Sequence, residues 1–150
     1  MAAERDLVTG VIQLSNLFIR RLGPVFEKAK ITPQQWTVVA ALAGEAGPVT
    51  LVALARRLMV TKQNMTGMIA RLEQLGLADR QEDPLDLRSS RVSLTRRGRA
   101  LVDRLRPAYE EWIASIAAEV GERDVQALAR TVEKLIQRLD EVEERRRPGG

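Results

Sequence analysis

Cysteine and histidine are both missing from this chain, and only five of its 150 residues are aromatic. Without cysteine there are no disulfides, no thiolate nucleophile and no thiol redox sensor. Without histidine the commonest general base, the usual switch near neutral pH and the commonest transition-metal ligand are gone. No nucleophile–base pair and no phosphate-cradling glycine loop is visible either. We therefore assign no catalytic residue, no metal and no cofactor, and do not expect an enzyme. No apolar run approaches the roughly 18 residues that a bilayer span needs. The opening MAAERDLVTG carries charges where a signal peptide needs an apolar core. A soluble cytoplasmic protein without membrane contact is the expectation.

What is present is a basic middle. Residues 50–106 hold twelve Lys/Arg against six Asp/Glu, and the remainder holds twelve against fourteen. The net charge of +4 thus comes from a central block of +6 between slightly acidic flanks. Such a block attracts a polyanion, and the phosphate backbone of nucleic acid is the commonest one.

The pattern of elements is mainly helical. Leu7, Val11, Leu14 and Phe18 form one stripe of a first helix over residues 4–22, which Gly23-Pro24 is expected to break or kink. Thr32-Pro33-Gln34-Gln35 opens a second helix with the residues of a capping box, and Trp36, Val39, Leu42 and Ala43 supply its apolar face. Thr50 caps a third helix ending near Met59. After about two residues Thr61 caps a fourth, which buries Met65, Met68, Ile69, Leu72 and Leu75 before Gly76 stops it. Residues 77–81 and 91–94 are short strands forming a two-stranded ribbon, with Leu85 and Leu87 of its tip expected against the body of the domain. Thr95 caps a long helix kinked at Pro107, and Gly121 opens a last one. Val125, Leu128, Val132, Leu135, Leu139 and Val142 then follow at steps of three and four, a seam that needs a partner helix.

Helix, turn, helix and basic ribbon in this order form a device for holding DNA. Opposite its buried stripe the fourth helix carries Gln63, Gly67, Ala70 and Gln74, flanked by Thr66, Asn64 and Arg71. Gln, Asn and Arg hydrogen-bond base edges in the major groove, and small residues allow close approach. Thr61, Lys62 and the helix N-terminus suit phosphate. On the ribbon, Arg88 suits a narrow minor groove, Asp86 can aim it, and Ser89 can donate to phosphate.

These segments carry a resemblance. T-P-Q-Q-W from Thr32, L-x-x-L-A-R-R-L at the third helix, T-x-x-N-M-T-G-M-I-x-R-L-E-x-x-G-L at the fourth and D-P-L-D-L-R-S-S-R-V-S-L-T-x-x-G through the ribbon resemble the MarR family of winged-helix regulators. The resemblance spans nearly the whole chain. It implies one unit over 1–150: a winged helix-turn-helix DNA-binding lobe at 32–98, with N- and C-terminal dimerisation helices at 4–30 and 99–144. It also implies a homodimer on a pseudo-palindromic double-stranded operator, and repression relieved by a small-molecule effector bound between the dimerisation helices and the lobe. The reading role falls on Gln63, Asn64, Thr66, Gly67 and Arg71, and the wing role on Asp86 and Arg88. For an effector, Trp36, Tyr109 and Trp112 are the candidate aromatic walls and Arg20 or Arg21 the anion partner. The competing readings are a DNA-binding or architectural protein without an effector, and a helical interaction module that never touches DNA.

Overall fold

The computed structural model describes residues 2–82, 84–86 and 90–147. The chain divides into two compact units, Met1–Tyr109 and Glu110–Gly150. The first contains α1 (Ala2–Phe26), a 3-10 turn (Glu27–Ala29), α2 (Pro33–Ala43), β1 (Val49–Thr50), α3 (Leu51–Arg57), α4 (Lys62–Gln74), β2 (Ala78–Glu82), β3 (Ser90–Leu94) and the start of α5 (Arg96–Val120). The second contains the rest of α5 and all of α6 (Glu122–Arg146). The division falls inside α5.

The core of the first unit draws on every element around the helix-turn-helix. Phe26, Trp36, Val38, Val39, Leu54, Met65, Ile69, Leu72, Val92 and Val102 are buried. Phe26 stacks on Trp36 with ring centroids 5.0 Å apart, and Tyr109 lies 5.3 Å from Trp36. This anchor explains a departure from the sequence reading. Gly23-Pro24 does not end α1, which runs on to Phe26. Pro24 forfeits one backbone bond on an exposed side of the helix, where water can serve the freed carbonyl, while two residues later Phe26 is fully buried. Val38 joins Trp36, Val39 and Leu42 inside, so α2 is buried beyond the expected stripe.

The ribbon is part of a three-stranded antiparallel sheet in the order β1-β3-β2, not a two-stranded one. Val49 pairs with Val92 and Thr50 with Arg91, while β2 pairs with β3 from Ala78↔Leu94 out to Glu82↔Ser90. Leu85 does not pack on the body but is 94% exposed, and Leu87 lies outside the described residues. α5 is continuous through Pro107. Gly121 precedes α6 with φ 101°, a conformation natural only to glycine.

Candidate nucleic-acid interface

Each helix of the pair begins on a threonine cap. The Ala53 amide donates to Thr50 Oγ1 (3.1 Å), and the Asn64 amide donates to Thr61 Oγ1 (3.1 Å). Each bond satisfies one of the four amides a helix start leaves free. Between them the chain turns over residues 58–61. Met59 takes the left-handed conformation (φ 54°), and the Val60 amide donates back to the Ala55 carbonyl at 3.0 Å. That is the closing bond of a Schellman-type end, usually built on glycine. The angle at which α4 leaves α3 is therefore set by local hydrogen bonds and by Leu54, Ala55, Met65 and Ile69 beneath them.

α4 divides by face. Met65, Ile69 and Leu72 are buried, with Met68 and Leu75 half-buried beside them. Gln63, Asn64, Gly67, Ala70, Arg71 and Gln74 are exposed. A Cβ built on Gly67 would meet nothing within 4 Å. Packing therefore does not demand glycine there, and helix propensity opposes it by about 1 kcal/mol. Glycine at position 67 is thus required neither by packing nor by helix propensity. Thr66 Oγ1 donates to the Lys62 carbonyl at 2.8 Å, so its proton is spent on the backbone, and the residue is half-buried. Arg71 Nη1 reaches Gln74 Oε1 at 3.5 Å, a weak tie that leaves the guanidinium outward. Lys62 is exposed beside the unbonded amides of the first turn of α4.

At the base of the wing one hydroxyl joins three elements. Thr95 Oγ1 donates to the Gly76 carbonyl (2.6 Å) and accepts from the Gly98 amide (3.0 Å), while the Thr95 amide donates to the Leu77 carbonyl (3.1 Å). The end of α4, the end of β3 and the start of α5 are thus pinned together. Gly98 lies so close to the Leu77 carbonyl that a Cβ would stand 2.1 Å from its oxygen. The L-T-x-x-G segment is therefore structural, a role that sequence reading did not separate from the wing. Of the wing-tip residues, Asp86 is exposed, and Arg88 and Ser89 lie outside the described residues.

Of the residues proposed for an effector, Trp36 and Tyr109 are brought together, their ring centroids 5.3 Å apart. Arg20 and Arg21 are exposed on α1, and Tyr109 is half-buried. Trp36 is only 2% exposed, its ring packed against those of Phe26 and Tyr109. Trp112 is half-buried in the second unit. Among the described residues no group of acidic side chains is placed to hold a metal ion, and no helix is long and apolar enough to cross a membrane.

Comparison with known proteins agrees with this geometry. A family model described as the MarR family matches residues 29–89. An HTH-type transcriptional regulator from Mycobacterium bovis is 32% identical over 136 residues, covering 91% of this chain and 92% of the relative. Among solved structures, NadR in complex with 4-hydroxyphenylacetate superposes with a TM-score of 0.70 at 28% identity, over 85% of this chain and 89% of that one. Reduced AbfR bound to DNA superposes with a TM-score of 0.72 at 25% identity, over 91% and 96%. Fold, the exposed polar face of α4 and similarity over nearly the whole length converge: the chain belongs to the MarR family of winged-helix transcriptional regulators.

Proposed function

We propose that the chain acts as a homodimer in the cytoplasm, by binding rather than by catalysis, and represses transcription by occupying a two-fold-symmetric DNA operator. In this reading residues 32–98 form the DNA-binding lobe, and residues 4–30 and 99–144 supply the dimer contact. The observation that carries it is the outward face of α4, where Gln63, Asn64 and Arg71 flank a Gly67 that the fold does not require. Gln63, Asn64 and Arg71 meet base edges. Lys62, the Thr61 hydroxyl proton and the first amides of α4 hold phosphate. Asp86, Arg88 and Ser89 act at the adjoining groove.

The dimer reading rests on apolar side chains left in solvent. On α1, Leu7, Val8, Val11, Ile12, Leu14 and Leu17 are each at least 39% exposed. On α6, Leu128, Val132, Leu135, Ile136 and Leu139 are at least 37% exposed. Stripes of this length are covered in a stable protein. For the effector we favour an organic carboxylate paired by Arg20 or Arg21, with Tyr109 as an aromatic contact, since the NadR complex holds 4-hydroxyphenylacetate, itself a carboxylate.

Selection of bound sequences from a random pool tests the reading. The wild-type protein should select half-sites about 34–36 Å apart, one turn of B-DNA. Alanine at a true base contact should cost about 1–3 kcal/mol and relax one symmetric pair of positions, whereas Lys62→Ala should weaken all sequences alike. If Gln63→Ala, Asn64→Ala and Arg71→Ala all select the wild-type motif unchanged, α4 is not the reader.

A further inference from the structure

A second site lies inside the first unit; Gln74 at the end of α4 lines it, but none of Gln63, Asn64, Gly67 and Arg71 does, and neither does Arg20 or Arg21. A cavity of about 390 Å³ opens where the segment after α1, the end of α4 and the start of α5 meet. Its size falls among small-molecule pockets, which span roughly 300–1,000 Å³. Lys28, Lys30, Arg97 and Arg104 all line it, and no carboxylate does. Among the described residues none of these four side chains has an ion-pair or hydrogen-bond partner. Unpaired cations are common on a surface. Four of them converging on one concavity from two segments are not, because each raises the energy of the others.

The helix end makes the arrangement more costly still. The first turn of α5 contains no acidic residue, and Arg96, Arg97 and Arg99 occupy its positive end. A helix start favours anions by about 0.3–1 kcal/mol per charge, so arginines there are disfavoured by a similar amount. The fold gains no matching contact from them: Arg97 and Arg104 are exposed. Arg97 instead spreads across the end of α4, its Cδ and Nη1 each 3.8 Å from where a Cβ on Gly76 would stand. Behind the cations Leu75, Leu77 and Leu101 form an apolar wall. A small anion in the cavity would relieve the mutual repulsion and meet the positive end of α5. The wall would accept a short carbon skeleton.

We propose that this cavity binds a small organic anion carrying two or more negative charges, as carboxylate or phosphate groups. Direct titration of the intact protein tests it, without DNA, so that failure here is distinct from failure of the operator reading. The probes are citrate for the carboxylate arm and pyrophosphate for the phosphate arm, with acetate at matched ionic strength as the singly charged control. Calorimetry should show saturable binding of at least one of the two probes and none of acetate. Arg97→Ala combined with Arg104→Ala should weaken that binding at least about tenfold, and Lys28→Ala, on a different segment, should weaken it too. Arg96→Ala removes the same charge from the same helix end outside the cavity lining and should change affinity less than about twofold. All four positions are exposed, and far-UV circular dichroism checks that each variant is folded. The proposal is overturned if neither probe saturates, if Arg96→Ala weakens binding as much as the double variant, or if the double variant binds as wild type does. It is equally overturned if the cavity binds no small anion and the double variant lowers the salt slope of DNA binding by about two, because the two arginines would then belong to the DNA backbone.

Discussion

Replacing Gly98 with alanine sets two sizeable effects of opposite sign against each other. Gly98 sits in the first turn of α5, and alanine in a helix is favoured over glycine by about 1 kcal/mol. Against this, the new Cβ would stand 2.1 Å from the Leu77 oxygen, 3.1 Å from its carbonyl carbon and 3.2 Å from Leu94 Cδ2. Carbon–oxygen contacts settle at about 3.3–3.6 Å, so backbone must retreat by roughly 1 Å. The retreating atom is the acceptor of the Thr95 amide, and the bonds of Thr95 Oγ1 to Gly76 and Gly98 hang on the same geometry. Overpacking costs about 1–3 kcal/mol. The three hydrogen bonds are worth about 1 kcal/mol each, and only some need break. The clash wins, and the net loss is about 2–4 kcal/mol. Urea denaturation read at 222 nm should show the midpoint falling with little change in slope. The matched control is Gly67→Ala in α4, where an added Cβ meets nothing within 4 Å and, without DNA, the propensity gain acts alone. A Gly98→Ala protein as stable as wild type would refute the close-approach argument. So would equal shifts in the two variants.

Three further outcomes follow from the same structure. Gly67→Ala should leave stability unchanged or raised by up to about 1 kcal/mol yet weaken operator binding; a gel shift showing wild-type affinity would remove the reason given for that glycine. Thr95→Val should cost about 2 kcal/mol, because the Gly76 carbonyl and Gly98 amide lose their partner, while Thr95→Ser keeps most of the stability; equal denaturation midpoints for the two would contradict the shared-hydroxyl account. Leu135→Asp with Leu139→Asp should convert a dimer to monomer in light scattering, since the charges would be buried unpaired, and a wild-type chain already monomeric at micromolar concentration would undo the dimer reading.

What could be read from the sequence was local. Thr32, Thr50 and Thr61 cap their helices as expected, and Gln35 returns the bond of the capping box at 3.0 Å. Caps depend on residues three apart, and a sequence displays those directly. The buried stripe of α4 was legible for the same reason, since its period is that of the helix. The third strand was not. Val49–Thr50 is too short to show alternation, and its partner β3 lies far along the chain. Nor was the left-handed turn at Met59, because methionine gives none of the signal that glycine does. Phe26 escaped notice because Gly23-Pro24 reads as a stop, and only the stacked Trp36 shows why the helix passes through it. On α4, spacing selected the exposed Gln63, Asn64, Gly67 and Arg71, while Thr66, selected with them, is half-buried. The freedom around Gly67 needed coordinates.

The fastening at Thr95 separates two properties that an engineer would wish to change one at a time. The hydrogen bonds of Thr95 that tie the end of α4 to the sheet lie at the base of the ribbon, between residues 76 and 98. The ladder from Ala78↔Leu94 to Glu82↔Ser90 intervenes before the tip begins. Length and composition between residues 82 and 90 can accordingly be exchanged as a cassette, from a short acidic loop to a longer basic one, with no consequence for the pitch of the reading helix. A library confined to that segment would sample the reach of the ribbon and leave α4 as it is.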